Sequence, residues 1–206
     1  MFHLIKKATN KSLRKFINAI NRWRLKNHSM SVISSNCNGA LILHDLGEKF
    51  NSPFVNLCLL PKDFIKYLQN IEHYMKAELH FEQTDKPYPV GKLDDLTIYF
   101  MHYHCEQEAR DKWIERTARM NLDNLFILMT DRDGCSYEDL QAFEQLPYKN
   151  KIVFTHQKYP EISTALYVPG FENQGQVGDL FEFSGCSGKK YYDRLDYVAW
   201  FNEVRT

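Results

Sequence analysis

Short apolar runs alternate with amphipathic stretches along almost the whole chain, a pattern that predicts strands alternating with helices. "MSVISS" predicts a first strand, and "GALILHDLGEKF" a helix after it. "PFVNLCLL" at 53–60 reads as a second strand. Pro61 then opens a helix over "PKDFIKYLQNIEHYM", because proline's missing N–H costs nothing in a first helical turn. "ELHFEQ" and "LTIYFMHY" predict strands on either side of the turn-rich "TDKPYPVGKLDD", and the charged "CEQEARDKWIERTARMN" predicts a helix. "NLFILMT" reads as a buried strand, "SYEDLQAFEQL" as a helix, and "KNKIVFTH" and "ISTALYVP" as strands. The tail "KYYDRLDYVAWFNEV" closes the pattern as a helix. Alternation of this kind implies βαβ units. The expected fold is α/β, a single three-layer domain with a largely parallel sheet over residues 29–206.

Residues 1–28 stand apart by charge. No acidic residue occurs before His44, while Lys6, Lys7, Lys11, Arg14, Lys15, Arg22, Arg24 and Lys26 are basic. Leu13, Phe16, Ile17, Ile20 and Trp23 recur at helical spacing among them, so the segment reads as a basic amphipathic helical arm. Such a helix either lies on an anionic membrane surface or packs on the domain with solvated lysines.

Composition narrows the class. The 206-residue chain is 44% hydrophobic, enough for a substantial core without disulfide staples. Its formal net charge is zero, so no global field draws nucleic acid, and no nucleic-acid partner is expected. Five cysteines, at 37, 58, 105, 135 and 186, form no C-x-x-C pair and suit reduced thiols. "MFHLIKKATNK" lacks the apolar core of a secretory signal, and no run reaches the length of a membrane span. The expected location is cytoplasmic, extending to the inner face of the plasma membrane through residues 1–28.

In a parallel sheet, ligands gather at the carboxyl ends of the strands, so the residues just after each strand carry the chemical interest. Ser34, Ser35, Asn36, Cys37 and Asn38 follow the first strand; His102 and His104 follow "LTIYF"; Asp131 and Asp133 follow "NLFILMT"; His156 follows "KIVFT". Cys37 precedes a predicted helix, where the helix dipole favours a thiolate, and is the candidate nucleophile. The opposing reading is a small buried side chain beside helix caps. His156 is the candidate general base, with Asp131 to orient it. Ser35, Asn36, Asn38, His102, His104 and Asp133 are expected to contact substrate. Asp131-x-Asp133 also has the spacing to clamp a divalent cation, against a turn at Gly134 with an N-cap at Ser136 answered by Asp139. "GCSGKK" at 185–190 lacks the spacing of a phosphate loop and reads as a glycine-rich turn.

"SSNCNG", "DLGEKFNSPFVNL", "YPVGKLDDLTIYFMHY", "MTDRDGCSYEDL", "PYKNKIVFTH" and "VPGF…VGDL" occur in one order. Together, over about residues 30–200, they resemble a bacterial family of unknown function. Its members recur in capsule and exopolysaccharide gene clusters, many labelled exopolysaccharide-biosynthesis or acetyltransferase proteins. In that pattern an aromatic residue follows the cysteine, where Asn38 stands here. The resemblance implies a transferase acting on a glycan or lipid-linked oligosaccharide, with acetyl-CoA as donor for O-acetylation and no metal ligands assigned. The alternatives are a glycosyltransferase with a divalent metal at Asp131 and Asp133, and a non-catalytic accessory protein of the same pathway.

Overall fold

The computed structural model describes residues 2–203, with side chains from residue 8 onward. Residue 204, the end of the expected tail helix, and the side chains of Lys6 and Lys7 lie outside the described residues. The fold is mixed α/β, with two sheets. Helix α1 (Phe2–Arg24) leads into β1 (Ser31–Ser34) and α2 (Asn38–Leu46). Next come α3 (Pro61–Gln69), the short α4 (Ile71–Tyr74), and strands β2 (Leu79–Glu82), β3 (Val90–Leu93) and β4 (Leu96–Tyr99). Helix α5 (Glu106–Thr117), β5 (Leu125–Thr130), α6 (Tyr137–Glu144), β6 (Lys151–Thr155), β7 (Ala165–Tyr167) and α7 (Tyr197–Asn202) complete the order.

The main sheet runs β1-β5-β6-β7 and every pairing in it is parallel. Its second strand, β5, is buried at all six positions, which is why "LFILMT" shows no polar alternation. Leu125, Ile127 and Met129 join one core with α3, α5 and α6. Phe126 and Leu128 point the other way, into a core with Ile42, Leu43 and Phe201. The sheet is therefore covered on both faces.

The second sheet, β2-β3-β4, is antiparallel throughout and stands apart from the sequence expectation. Strand β3 lies inside the segment read as a turn. Its residues Val90–Leu93 pair on both sides, and Gly91 admits Leu79 and Phe100 where a Cβ would meet each at 2.8 Å. The strand expected at 53–60 is not formed; it shrinks to one bridge between Cys58 and Tyr99. Its neighbour Leu59 donates its N–H to the Ser35 carbonyl at 3.0 Å, so this segment stitches β4 to the end of β1. The helix expected over 61–75 breaks at Asn70 (φ −136°), and the tail helix is a 3₁₀ turn at Tyr191–Arg194 followed by α7.

Helix α1 is amphipathic, but inside out. Its polar side faces the domain. The Arg14 guanidinium, 6% exposed, pairs with Asp45 at 2.7 Å and Asp193 at 2.5 Å. Asn18 and Asn21 donate to Asp45 Oδ1 and the Tyr197 hydroxyl, both at 3.0 Å. Asn10 donates to the Gly185 carbonyl at 2.8 Å and accepts from the Gly188 N–H at 3.0 Å. The "GCSGKK" loop is thus the cradle of α1, and Gly188 is needed there: its φ is +73° and a Cβ would lie 2.5 Å from Leu13. Among the described residues no helix is long and apolar enough to cross a membrane.

Candidate functional site

Parallel pairing of β1 with β5 and β5 with β6 brings three strand ends to one edge. Ser34, Thr130 and Thr155 close the strands, and Asn36, Asp131 and His156 follow them. The turn after β1 is held by amides. Asn36 Nδ2 donates to Thr130 Oγ1 at 2.8 Å, while its Oδ1 accepts from Asn38 N and Nδ2 at 3.2 and 2.9 Å. Asn38 therefore serves the loop with its amide, which an aromatic ring could not do.

Asp131 is buried, and both its oxygens are used. Oδ2 accepts from His156 Nδ1 at 2.6 Å and from the His156 backbone N–H at 2.7 Å; Oδ1 accepts from the Val177 N–H at 2.8 Å. The carboxylate fixes the imidazole's orientation and leaves Nε2, on a side chain 12% exposed, as the working nitrogen. Asp133 behaves differently. It sits at φ 60° ahead of Gly134 at φ 82°, in a tight turn closed by Cys135 N–H to the Arg132 carbonyl at 3.2 Å. Asp residues tolerate that left-handed conformation because their side chains bond locally. The turn expected at Gly134 is thus present. So is the cap: Ser136 and Asp139 form a reciprocal capping box on α6. The two aspartates diverge, Asp131 toward β6 and Asp133 toward β1.

A cleft of about 190 Å³ opens beside this edge. Asn36, Cys37, Asn38, His102 and Asp133 line it, together with Cys58, Met101, Arg132, Asp179 and Phe181. Arg132 and Asp179 form an ion pair of 2.7 Å at its rim. His102 reaches the cleft because the Cys58–Tyr99 bridge carries the end of β4 to β1. The remaining sequence candidates lie elsewhere. Ser35 is buried and extends the sheet by its backbone, donating to the Leu128 carbonyl at 3.0 Å. His104 does not share a face with His102, because β4 ends at Tyr99 before either residue. It lines a separate hollow with residues 82–84, 86–89 and 105–107.

Cys37, His156 and Asp131 do share one edge, but they do not form one hydrogen-bonded group. The Cys37 thiol donates to the Leu57 carbonyl at 3.9 Å, while the imidazole is committed to Asp131. Strand β5 lies between β1 and β6, which separates the two strand ends by roughly 10 Å. Burial raises the Cys37 pKa above the ordinary thiol value, against the opposing hydrogen bond from Asn56. Burial, with Asp133 and Cys37 beside it, pushes Cys58 up to about 12. Both thiols are held protonated. Among the described residues, no group of three or more His, Cys, Asp or Glu side chains is placed to hold a metal ion.

The sequence reading passed over Arg132, Asp179, Phe181, Cys58 and Met101. Arg132 sits between the two aspartates and Asp179 in the "VGDL" block, so proximity to singled-out motifs was the available signal. Comparison with known proteins agrees with this extent of structure. A family model described as a domain of unknown function, DUF1919, matches residues 8–202, which takes in most of α1 as well as both sheets. The chain is 62% identical over 203 residues to an uncharacterized protein of Haemophilus influenzae strain Rd, covering 98% of each. By the span of that match, the chain belongs to the DUF1919 family.

Proposed function

We propose that the protein is an acyltransferase that O-acetylates a bacterial surface glycan or its lipid-linked precursor, working at the inner face of the plasma membrane. The observation that carries the chemistry is the 2.6 Å contact of Asp131 Oδ2 with His156 Nδ1 at the carboxyl edge of a parallel sheet. In this reading His156 Nε2 accepts the proton of a sugar hydroxyl as its oxygen attacks the thioester carbonyl of acetyl-CoA. The tetrahedral adduct then expels the thiolate, which takes the same proton back from the imidazolium. Asp131 stabilises that cation through the step and holds the tautomer in which Nε2 is basic. Transfer is direct, with no acyl-enzyme. The protonated thiol of Cys37 lines the cleft instead of attacking, alongside the amides of Asn36 and Asn38. The glycan assignment rests on the resemblance of the sequence blocks quoted above. The three N–H donors on Asp131 favour this reading over metal-dependent glycosyl transfer, which needs that carboxylate free.

The test is the surface polysaccharide of cells lacking the gene, complemented with wild type, His156→Ala or Cys37→Ala. Proton NMR should show O-acetyl signals lost in the deletion, restored by wild type and Cys37→Ala, and absent with His156→Ala. An unchanged polysaccharide in the deletion strain overturns the proposal. A missing sugar in place of a missing acetyl group points to glycosyl transfer. Full complementation by His156→Ala points to an accessory role.

A further inference from the structure

With the polar side of α1 turned into the domain, its apolar side is left outside. Leu13 is 38% exposed, Phe16 67%, Ile20 41% and Trp23 84%. At 3.6 residues per turn these four lie within roughly 80° of one another and span about 15 Å of helix. An ordinary surface helix hides that stripe and presents its charges; this one does the reverse. We propose that this stripe is a docking surface for an anionic lipid bilayer, on which α1 lies flat.

Charge selects that occupant. Lys11, Lys15 and Arg22 are exposed on the flank of α1 between its buried side and the stripe, Arg22 also donating to the Asp45 carbonyl at 3.0 Å. Exposed Lys26 follows the helix, and no acidic residue occurs anywhere in α1. On the other side, the cradle loop brings exposed Lys189 beside Ile17, while Arg24 there is paired with Asp196 at 2.6 Å. A second copy of α1 set against the first would bring two such cationic borders together, which repel. Anionic headgroups neutralise them while the stripe enters the boundary between headgroups and acyl chains. Trp23, the most exposed of the four, is the residue type that prefers that boundary. The buried Arg14–Asp45 and Arg14–Asp193 pairs lock the helix roll, so the stripe faces outward before any membrane is met. Docking then costs little reorganisation.

The inference deepens the inner-face location given above, but its test uses neither donor nor acceptor, so it stands or falls separately from the chemistry of His156. The full chain is floated with vesicles of phosphatidylcholine containing about 30% phosphatidylglycerol, a charge density chosen to mimic an anionic leaflet. It should float with these and not with pure phosphatidylcholine, and Trp23 fluorescence should be quenched by lipids labelled in the upper acyl chain. The double substitution Phe16→Ser with Trp23→Ser should weaken binding at least about tenfold, since each aromatic contributes a substantial apolar burial. Circular dichroism should be unchanged, both side chains being exposed. Absence of binding to the anionic vesicles overturns the proposal, as does binding that survives the double substitution. A dimer seen by light scattering and abolished by that substitution shows that a second copy takes the stripe.

Discussion

Asp131 Oδ2 holds His156 twice, at Nδ1 (2.6 Å) and at the backbone N–H (2.7 Å), so one carboxylate oxygen sets both the path of the chain after β6 and the roll of the imidazole. Structure and chemistry therefore separate by substitution. Asp131→Ala leaves the buried Val177 N–H and the His156 N–H without an acceptor and should cost about 3 kcal/mol. His156→Ala leaves that backbone bond in place and should cost about 1 kcal/mol or less in urea unfolding. Both should remove acyl transfer. Asp131→Asn keeps the size but sets an NH2 against either the Val177 N–H or the His156 donors and removes the charge that stabilises an imidazolium. It should lower the rate by about two orders of magnitude or more, with some loss of stability. Equal stability losses in the two alanine variants would separate the imidazole from the organising role given to Asp131.

Arg14 lies between two carboxylates under α1, and its loss should be felt as lost stability and lost acid resistance. Burial by itself raises the Asp45 pKa, but hydrogen bonds from Tyr192, Lys190 and Arg14, with the Arg14 charge, hold it at about 2. A carboxyl depressed on folding stabilises the fold at pH values above its unfolded pKa, near 3.9, and loses that contribution as pH falls through the folded value. Asp45 thus contributes about 2 kcal/mol at neutral pH that disappears between about pH 4 and pH 2. Arg14→Met should cost about 3–5 kcal/mol at pH 7, because Asp45 and Asp193 stay buried with a partner gone. The cost should shrink at about pH 2.5, where Asp45 begins to protonate. Urea midpoints for both proteins at the two pH values check it.

What the sequence disclosed follows from where burial is simple. Strand β5 carries a continuous apolar run because both faces of the sheet are covered, and the parallel ends of β1, β5 and β6 put Asn36, Asp131 and His156 on one edge, as the sequence pattern predicts. The capping box at Ser136 and Asp139 was legible because it is local. Strand β3 was not: "VGKL" has one inward glycine and one lysine, and its pairing is decided by β2 and β4 on either side. "PFVNLCLL" is apolar because Phe54, Leu57 and Leu59 fill the core under α3, not because they form a ladder. Helix α1 was read as amphipathic, but periodicity cannot say which side faces inward. Asn10, Arg14, Asn18 and Asn21 do so through partners 27 to 179 residues away in sequence.

The cleft thiols should be slow to alkylate. Burial raises Cys37, and it pushes Cys58 and Cys135 up to about 12, in each case against thiolate formation at neutral pH. Cys105 and Cys186 are exposed. Brief iodoacetamide treatment of the folded protein at pH 7.5 should therefore add two groups, mapped by mass spectrometry to Cys105 and Cys186, with the other three modified only after denaturation. Rapid labelling of Cys37 would restore the acyl-enzyme route that its surroundings disfavour.

Gly39 offers a way to disturb the cleft without touching a residue that lines it. A Cβ there would meet Ser34 Cβ at 2.8 Å and Val32 Cγ1 at 3.1 Å. Both belong to buried β1, which is pinned to β5 and cannot give way. The first turn of α2 must lift instead, breaking the 3.3 Å bond from Gly39 N–H to Ser34 Oγ and drawing Asn38 and Cys37 with it. Gly39→Ala should cost about 1–3 kcal/mol and lower acyl transfer through poorer substrate affinity, with the His156 step intact. Gly185→Ala is the matched control: it has ordinary backbone geometry and nothing within 4 Å of the added Cβ. It should be nearly neutral in thermal unfolding. If Gly39→Ala also proves neutral, α2 approaches β1 less closely than stated, and the amide-held turn at Asn36 loses its structural basis.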